Sequence, residues 1–121
     1  MRDHTKLRAF ELADEVTIMI YRATRAFPRE EIYGLTSQMR RAAVSVSSNI
    51  VEGSARESQT EYLRFLEISF GSLKELHSQF SLAMRLDYLG HIDKTAIFEI
   101  EAKILGTEKV LGALLRSMRK P

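Results

Sequence analysis

The sequence predicts an all-α protein, a single four-helix bundle domain over residues 1–121. Three observations carry that expectation. Apolar residues recur at 4-3 spacing along four long stretches, and no period-2 alternation competes with them. Pro28 and Pro121 are the only prolines, so long uninterrupted helices are allowed. The turns between the stretches are short, which makes an antiparallel up-down-up-down order the default. A chain of 121 residues buries one core without covalent staples. With no cysteine, a disulfide framework and a thiolate metal site are both excluded.

The first helix is expected from about Leu7 to Ala26. Ala9, Leu12, Ala13, Val16, Met19, Ile20, Ala23 and Phe27 fall on one side of it. Pro28 disfavours helix at Phe27 and closes it, and PREEIYG forms the turn.

The second element organises the chain. Tyr33–Ser58 reads as one helix of about six turns, fading near Gly53 to Glu57. Its main seam is Leu35, Met39, Ala42, Val46, Asn49 and Gly53, flanked by Ala43 and Ile50. A second series, Ser37, Arg41, Val44, Ser48, Val51 and Ala55, is small or apolar apart from Arg41. Only Arg40 and Arg41 charge the side that should be wet. A helix coated on two sides is covered on two sides. The rest of the chain supplies one cover, and another molecule is expected to supply the other.

Ser58-Gln59-Thr60-Glu61 has the form of a capping box, starting a third helix that runs to about Leu86. Its seam is Tyr62, Leu66, Ser69, Leu73, Leu76, Phe80 and Ala83. Leu89-Gly90 is expected to end the segment, with glycine in the left-handed cap. Asp93 caps the start of a fourth helix. Ile97, Ile100, Ile104, Leu111, Leu115 and Met118 form its seam, and Arg116, Arg119 and Lys120 sit at its negative end.

In a hairpin, residues that face each other have numbers adding to a constant. Gly53 with Tyr62, Asn49 with Leu66, Val46 with Ser69, Ala42 with Leu73 and Met39 with Leu76 obey this rule. The third helix has its own back seam, Arg64, Ile68, Gly71, Glu75, Ser78 and Leu82. In the same register Arg41 comes opposite Glu75 and Val44 opposite Gly71. The two back seams form a flat surface expected to be a subunit interface, with Ser37, Arg41, Val44, Ser48, Val51, Ile68, Gly71 and Glu75 on it.

The run from Phe27 to Leu76 resembles the family of four-helix bundle, or 23S ribosomal RNA intervening-sequence, proteins. The resemblance rests on Phe27-Pro28, Glu31, Tyr33 to Leu35, Gln38, Arg40 to Ala43, Asn49-Ile50 and Glu52-Gly53. It continues through Arg56, Ser58, Glu61, Arg64 to Leu66, Gly71-Ser72 and Glu75-Leu76. Phe10, Leu12 and Tyr21 extend it over nearly the whole chain. Two departures stand out: no tryptophan in the first helix, where members often carry one, and Val51 where alanine is common. The resemblance implies a four-helix bundle assembling as a homopentameric barrel, and it brings no enzymatic activity with it. A related branch, the accessory variability determinants of diversity-generating retroelements, binds a reverse transcriptase and nucleic acid.

Composition adds little chemistry. The balance of 18 basic against 16 acidic residues gives +2, which permits nucleic acid as a partner without demanding it. No apolar run approaches the roughly 18 residues of a membrane span. MRDHTKLRAF has no apolar core for a signal peptide. A cytoplasmic location with no membrane partner is expected. His4, His77 and His91 lie in different segments, no Glu-x-x-His motif supports a bundle metal site, and no catalytic, metal or cofactor residues are expected. His77 reads as a half-buried packing residue. The serines at 45, 47, 48 and 54 read as small-residue packing. Asn49 reads as a register-fixing polar residue, with a site at the bundle's end formed by Asn49, Glu52 and Arg56 as the functional alternative. Glu52 and Arg56 form an i, i+4 pair.

The up-down-up-down order gathers Arg2, Lys6, Arg8, Arg56, Arg64, Arg116, Arg119 and Lys120 at one end. Asp3, Glu11, Glu52, Glu57 and Glu61 share that end, so eight basic residues face five acidic ones. Repeated around a ring, that excess becomes a positive rim for phosphates. Arg2, Lys6, Arg8, Arg56, Arg116, Arg119 and Lys120 are the candidate nucleic-acid-binding residues. The expected function is a non-enzymatic, cofactor-free homo-oligomer that binds RNA or DNA non-specifically, as accessory to a nucleic-acid-processing enzyme. The alternative is a protein-interaction scaffold without a nucleic-acid role.

Overall fold

The computed structural model describes residues 2–120, so Met1 and Pro121 of the expected domain lie outside the described residues. Four helices dominate it: α1 (Arg8–Ala23), α2 (Leu35–Ser54), α3 (Gln59–Arg85) and α4 (Lys94–Arg119). Among the described residues there is no strand. α1 packs on α2 and α4, and α3 packs on α2 and α4, with the α2–α3 contact the most extensive. One core results, built from the inner stripe of every helix.

The seams account for this core, except that Met19, Asn49, Ile97 and Met118 are only half-buried and Ile50 is buried beside Asn49. All seven predicted positions of α3 are buried, Leu66, Leu73, Leu76, Phe80 and Ala83 completely. The one polar member, Ser69, is satisfied: its hydroxyl donates to the Val46 carbonyl at 2.6 Å. Gly53 lies against Tyr62 and Phe65, and the Ser45 and Ser72 hydroxyls meet at 2.8 Å. Gly53 with Tyr62 and Val46 with Ser69 match the pairings expected between α2 and α3, and Ser45 with Ser72 adds a contact that was not among them.

α2 is shorter than expected, because both of its ends belong to turns. Gly34 is its N-cap and brings no side chain. Glu31 substitutes, accepting from the Leu35 amide at 2.9 Å with one carboxylate oxygen. Its other oxygen accepts from the Tyr88 hydroxyl at 3.1 Å, and that hydrogen bond pushes the phenol's pKa up. Phe27 packs its ring against Tyr88 as well, at 5.5 Å between centroids. The α1–α2 turn is thus tied to the α3–α4 turn. Tyr33 is left outside these contacts and is 93% exposed.

α1 stops at Ala23, before the expected Ala26, and continues as a 3-10 turn over Thr24–Ala26. Arg40 seals that end. Its Nε donates to Thr24 Oγ1 at 2.8 Å, its Nη2 to the Tyr21 carbonyl at 3.3 Å, and its guanidinium stacks over the Tyr21 ring. Arg40 is therefore half-buried and clamped, a correction to its expected place on the wet side. Positive charge at a helix C-terminus, where carbonyls lack partners, is favourable.

Ser58 caps α3 by accepting from the Glu61 amide at 3.1 Å. The left-handed residue at its far end is Asp87, φ 61°, and not Gly90. Tyr88 N–H donates to the Ala83 carbonyl at 3.0 Å and Asp87 N–H to that of Met84 at 3.1 Å. That is a Schellman arrangement, and aspartate tolerates its left-handed position better than most side chains. Asp93 caps α4 through the Ala96 amide at 2.8 Å.

Candidate functional site

The outer side of the α2–α3 hairpin is uncovered. Ser48 and Gly71 are exposed, and Val44, Val51 and Ile68 each retain roughly two-fifths of their surface. Arg41 and Glu75 are exposed and Ser37 half-buried. A Cβ built at Gly71 would meet no atom within 4 Å. Arg41 and Glu75 share a groove with Gln38, Ser45 and Ser72 but form no ion pair. Glu75 accepts instead from Gln79, at 3.3 Å. Ile68 with Leu82 on α3 and Val44 with Val51 on α2 make this an apolar face with two unspent charges. Arg64, grouped with the basic end by sequence, stands in line with Ile68 on it.

The expected basic rim divides into engaged and free residues. Arg2 donates to the Arg56 carbonyl at 2.6 Å and to Gln59 Oε1 at 2.9 Å, and stacks over Tyr62 at 4.1 Å. Burial pushes the Tyr62 phenol's pKa up, against the opposing pull of that guanidinium. Arg56 donates to Glu52 at 3.1 Å and lies over the Phe65 ring, with its Nε buried and without a hydrogen-bond partner. Arg8 pairs with Glu11, and Arg119 with Glu67 at 2.7 Å. Lys6, Arg116 and Lys120 are exposed and form no ion pair among the described residues. The clusters also stand apart. Gln59, beside Arg2, and Glu67, beside Arg119, are eight residues apart on α3, or roughly 12 Å along its axis. Around Arg2 and Arg56 the carboxylates of Glu52 and Glu57 offset the positive charge, whereas the last turn of α4 gathers Arg116, Arg119 and Lys120.

Asn49 is half-buried and spends its amide on its own helix, donating to the Ser45 carbonyl at 2.8 Å and Ser45 Oγ at 3.0 Å. With Ser72 it makes a short polar ladder between α2 and α3. Ser47 and Ser54 donate to carbonyls of their own helix. His77 is half-buried, its Nδ1 2.7 Å from Glu108 Oε2, and Lys74 reaches the other oxygen of Glu108 at 3.2 Å. Lys103 bridges α4 to Glu15 of α1 at 2.9 Å. Among the described residues no group of three or more His, Asp or Glu side chains is placed to hold a metal ion, and no helix is long and apolar enough to cross a membrane.

Sequence reasoning missed Arg40's clamp and Glu31's double role, since both depend on which turn meets which. It also passed over an outer stripe on α4, Phe98, Ala102 and Leu105, although the 4-3 spacing was there to be read.

The fold and the exposed seam define a four-helix bundle with an uncovered apolar side. The family model of the 23S rRNA-intervening sequence protein matches residues 5–112, and the chain belongs to that family. A solved structure of a protein with unknown function from the S23 ribosomal protein family of Bacteroides thetaiotaomicron VPI-5482 is similar in fold. Its TM-score is 0.75 at 18% sequence identity, over 89% of this chain and 98% of that one. Comparison with curated proteins finds no match.

Proposed function

We propose that the chain is a non-enzymatic subunit of a cytoplasmic homo-oligomer that binds RNA or DNA through backbone phosphates, as accessory to a nucleic-acid-processing enzyme. The observation that carries the assembly is the open α2–α3 face. Val44, Val51, Ile68 and Gly71 form one apolar side that none of the described residues covers. The number five comes from the family resemblance. The up-down-up-down, antiparallel order is supported by contacts that follow a hairpin register, such as Ser69 with Val46 and Glu67 with Arg119.

Nucleic-acid binding is supported by the last turn of α4, where Arg116 and Lys120 have no ion-pair partner among the described residues and Arg119 shares only an exposed one. Surface pairs of that kind are worth little, so Arg119 can turn to a phosphate. Binding of this type falls linearly in log K with log salt, with small sequence preference. The test is a salt titration against a single-stranded RNA and a duplex DNA of matched length. Replacing Arg116, Arg119 and Lys120 together by glutamine is expected to lower both affinity and slope and to leave assembly intact. Absence of binding at about 50 mM salt rejects the nucleic-acid role. A protein-interaction scaffold is then the reading left, and one observation favours it: Arg2 and Arg56 are engaged within the chain, Arg2 on the Arg56 carbonyl, Gln59 and the Tyr62 ring and Arg56 on Glu52 and the Phe65 ring.

A further inference from the structure

Three arginines meet at the α1–α2 turn with no carboxylate among them. Arg25 stands on the 3-10 turn that ends α1, Arg29 on a second 3-10 turn after Pro28, and Arg40 on α2. Together they line a cavity of about 170 Å³, walled by Phe27, Pro28 and Ile32. Thr24 and Thr36 complete its lining. Glu30 and Glu31 belong to the same turn, but neither lines the cavity, and Glu31 is held by the Leu35 amide and the Tyr88 hydroxyl.

Some of these donors are engaged and others are free. The Thr24 hydroxyl donates to the Ile20 carbonyl at 2.8 Å and accepts from Arg40. Arg40 uses Nε and Nη2 on the end of α1, and its Nη1 has no hydrogen-bond partner among the described residues. Arg25 and Arg29 are exposed and form neither an ion pair nor a side-chain hydrogen bond among the described residues. Thr36 is the exception among the buried polar residues. It is 6% exposed, yet its hydroxyl has no hydrogen-bond partner among the described residues, whereas Thr24, Ser54, Ser69 and Thr107 each donate to a carbonyl. Buried hydroxyls ordinarily find a partner. As the second residue of α2, Thr36 has no carbonyl of its own helix four residues earlier. It lines the cavity instead, at the positive end of α2, where Gly34 brings no side-chain cap.

Every free group here can donate, so a ligand must be an anion with several acceptor oxygens. The volume is below the roughly 300–1,000 Å³ of pockets that enclose a whole drug-sized molecule, so the cavity takes one small group. A phosphate monoester fits, with three acceptor oxygens, about −1.5 to −2 charges at pH 7 and a geometry that guanidinium forks match. We infer that the cavity binds a single phosphate group, as inorganic phosphate or as the monoester at the end of a nucleotide chain. Arg25 and Arg29 supply the charge, and the Thr36 hydroxyl donates to one oxygen. The cavity shares no residue with the last turn of α4, so the two sites stand or fall separately.

Thermal unfolding in sodium phosphate and in sodium chloride of equal ionic strength tests the site. The wild type is expected to unfold at a higher temperature in phosphate, because a ligand of the folded chain alone raises stability. Arg25→Gln with Arg29→Gln, two exposed positions without internal partners, is expected to lose that difference. Thr36→Val removes a hydroxyl that has no partner to leave behind, so it is expected to match the wild type in chloride and to bind phosphate about tenfold more weakly. A general salt effect acts on all variants alike. No difference in the wild type, or a difference that either variant retains in full, therefore overturns the inference. So does its loss when Arg116, Arg119 and Lys120 are changed to glutamine. Calorimetric titration with a short oligonucleotide, with and without a 5′-phosphate, separates the two sources. Tighter binding of the phosphorylated form than of inorganic phosphate upholds the site as one for a strand end, and equal affinity upholds it as one for the free ion. Equal binding of the phosphorylated and unphosphorylated forms overturns it.

Discussion

The two sides of the α2–α3 hairpin are written in the same kinds of residue and have opposite fates. Inside, Met39, Val46, Ile50, Leu66 and Leu73 are buried to within 1%. Outside, Val44, Val51, Ile68 and Leu82 keep roughly two-fifths of their surface. Spacing and size predict that each side is a packing surface. Which one the chain fills itself is decided by the presence of α1 and α4 on the inner side alone. A glycine marks each. At Gly53 a Cβ would stand 2.9 Å from Phe65 Cβ and 3.3 Å from the Tyr62 carbonyl, whereas at Gly71 it would meet nothing. Close approach requires the first glycine; among the described residues nothing requires the second.

The largest contrast is expected from truncation. Phe80→Ala opens a cavity in the completely buried core and should cost about 3–5 kcal/mol. Ile68→Ala, on the outer side, should stay within about 0.5 kcal/mol when the chain is monomeric. Urea unfolding at a concentration where light scattering finds single chains makes the comparison. If Ile68→Ala costs as much as Phe80→Ala there, the outer side is covered by the chain itself and the division collapses.

The glycines give a finer test. Gly53→Ala forces the Phe65 Cβ and the start of α3 apart, and should destabilise by about 1–3 kcal/mol. Gly71→Ala removes a helix-interior glycine into open space and should stabilise the single chain by up to about 1 kcal/mol. Opposite signs in the same unfolding assay sharpen the contrast. Equal destabilisation breaks it.

Most of this architecture was legible in the sequence because helical packing is a periodic signal. Every member of the α3 seam is buried, and the pairing of Val46 with Ser69 is realised as a hydrogen bond. The misreadings fall at chain reversals, where period says nothing. Gly90 was the stronger left-handed candidate by type, yet α3 ends earlier and Asp87 takes that conformation. The seven candidate nucleic-acid residues were gathered by helix order alone. Order cannot reveal that Arg2 lies over Tyr62, since that contact depends on side-chain reach between distant segments, whereas the pair of Glu52 with Arg56 was legible as an i, i+4 spacing. The outer face was legible as a face, while what covers it is not written in the periodicity of this chain.

The adjacent arginines extend the comparison to charge. Arg40, clamped on Thr24 and Tyr21, should cost about 1–2 kcal/mol on change to glutamine, since charge-assisted bonds at the end of α1 are lost. Arg41→Gln should be near neutral in the single chain, having no ion pair to lose there. Thermal unfolding of the two variants side by side checks this. A larger loss for Arg41 than for Arg40 would mean that the outer face is already in use.

The smallest effect expected is seen only in alkali. Tyr62 closes the inner side beneath Gly53 and Arg2, and burial raises its pKa above the usual 10.0; Tyr88 is raised mainly by its hydrogen bond to Glu31. For a phenol whose folded pKa is raised, the unfolded chain ionises first. The stability each contributes is therefore complete below pH about 10 and is lost as pH rises through the folded value. Tyr62→Phe and Tyr88→Phe should each flatten the decline in unfolding free energy above pH about 10, relative to wild type. Arg2→Gln should steepen it, since Arg2 is the charge that favours the Tyr62 phenolate in the folded chain. Unfolding titrations at pH 9, 10 and 11 (about one unit to each side of the phenol's ordinary value) read the three slopes. If Arg2→Gln leaves the slope unchanged, Arg2 is not held over Tyr62 in solution. Arg2 then returns to the free cations at the bundle's end and counts again among the groups open to phosphate.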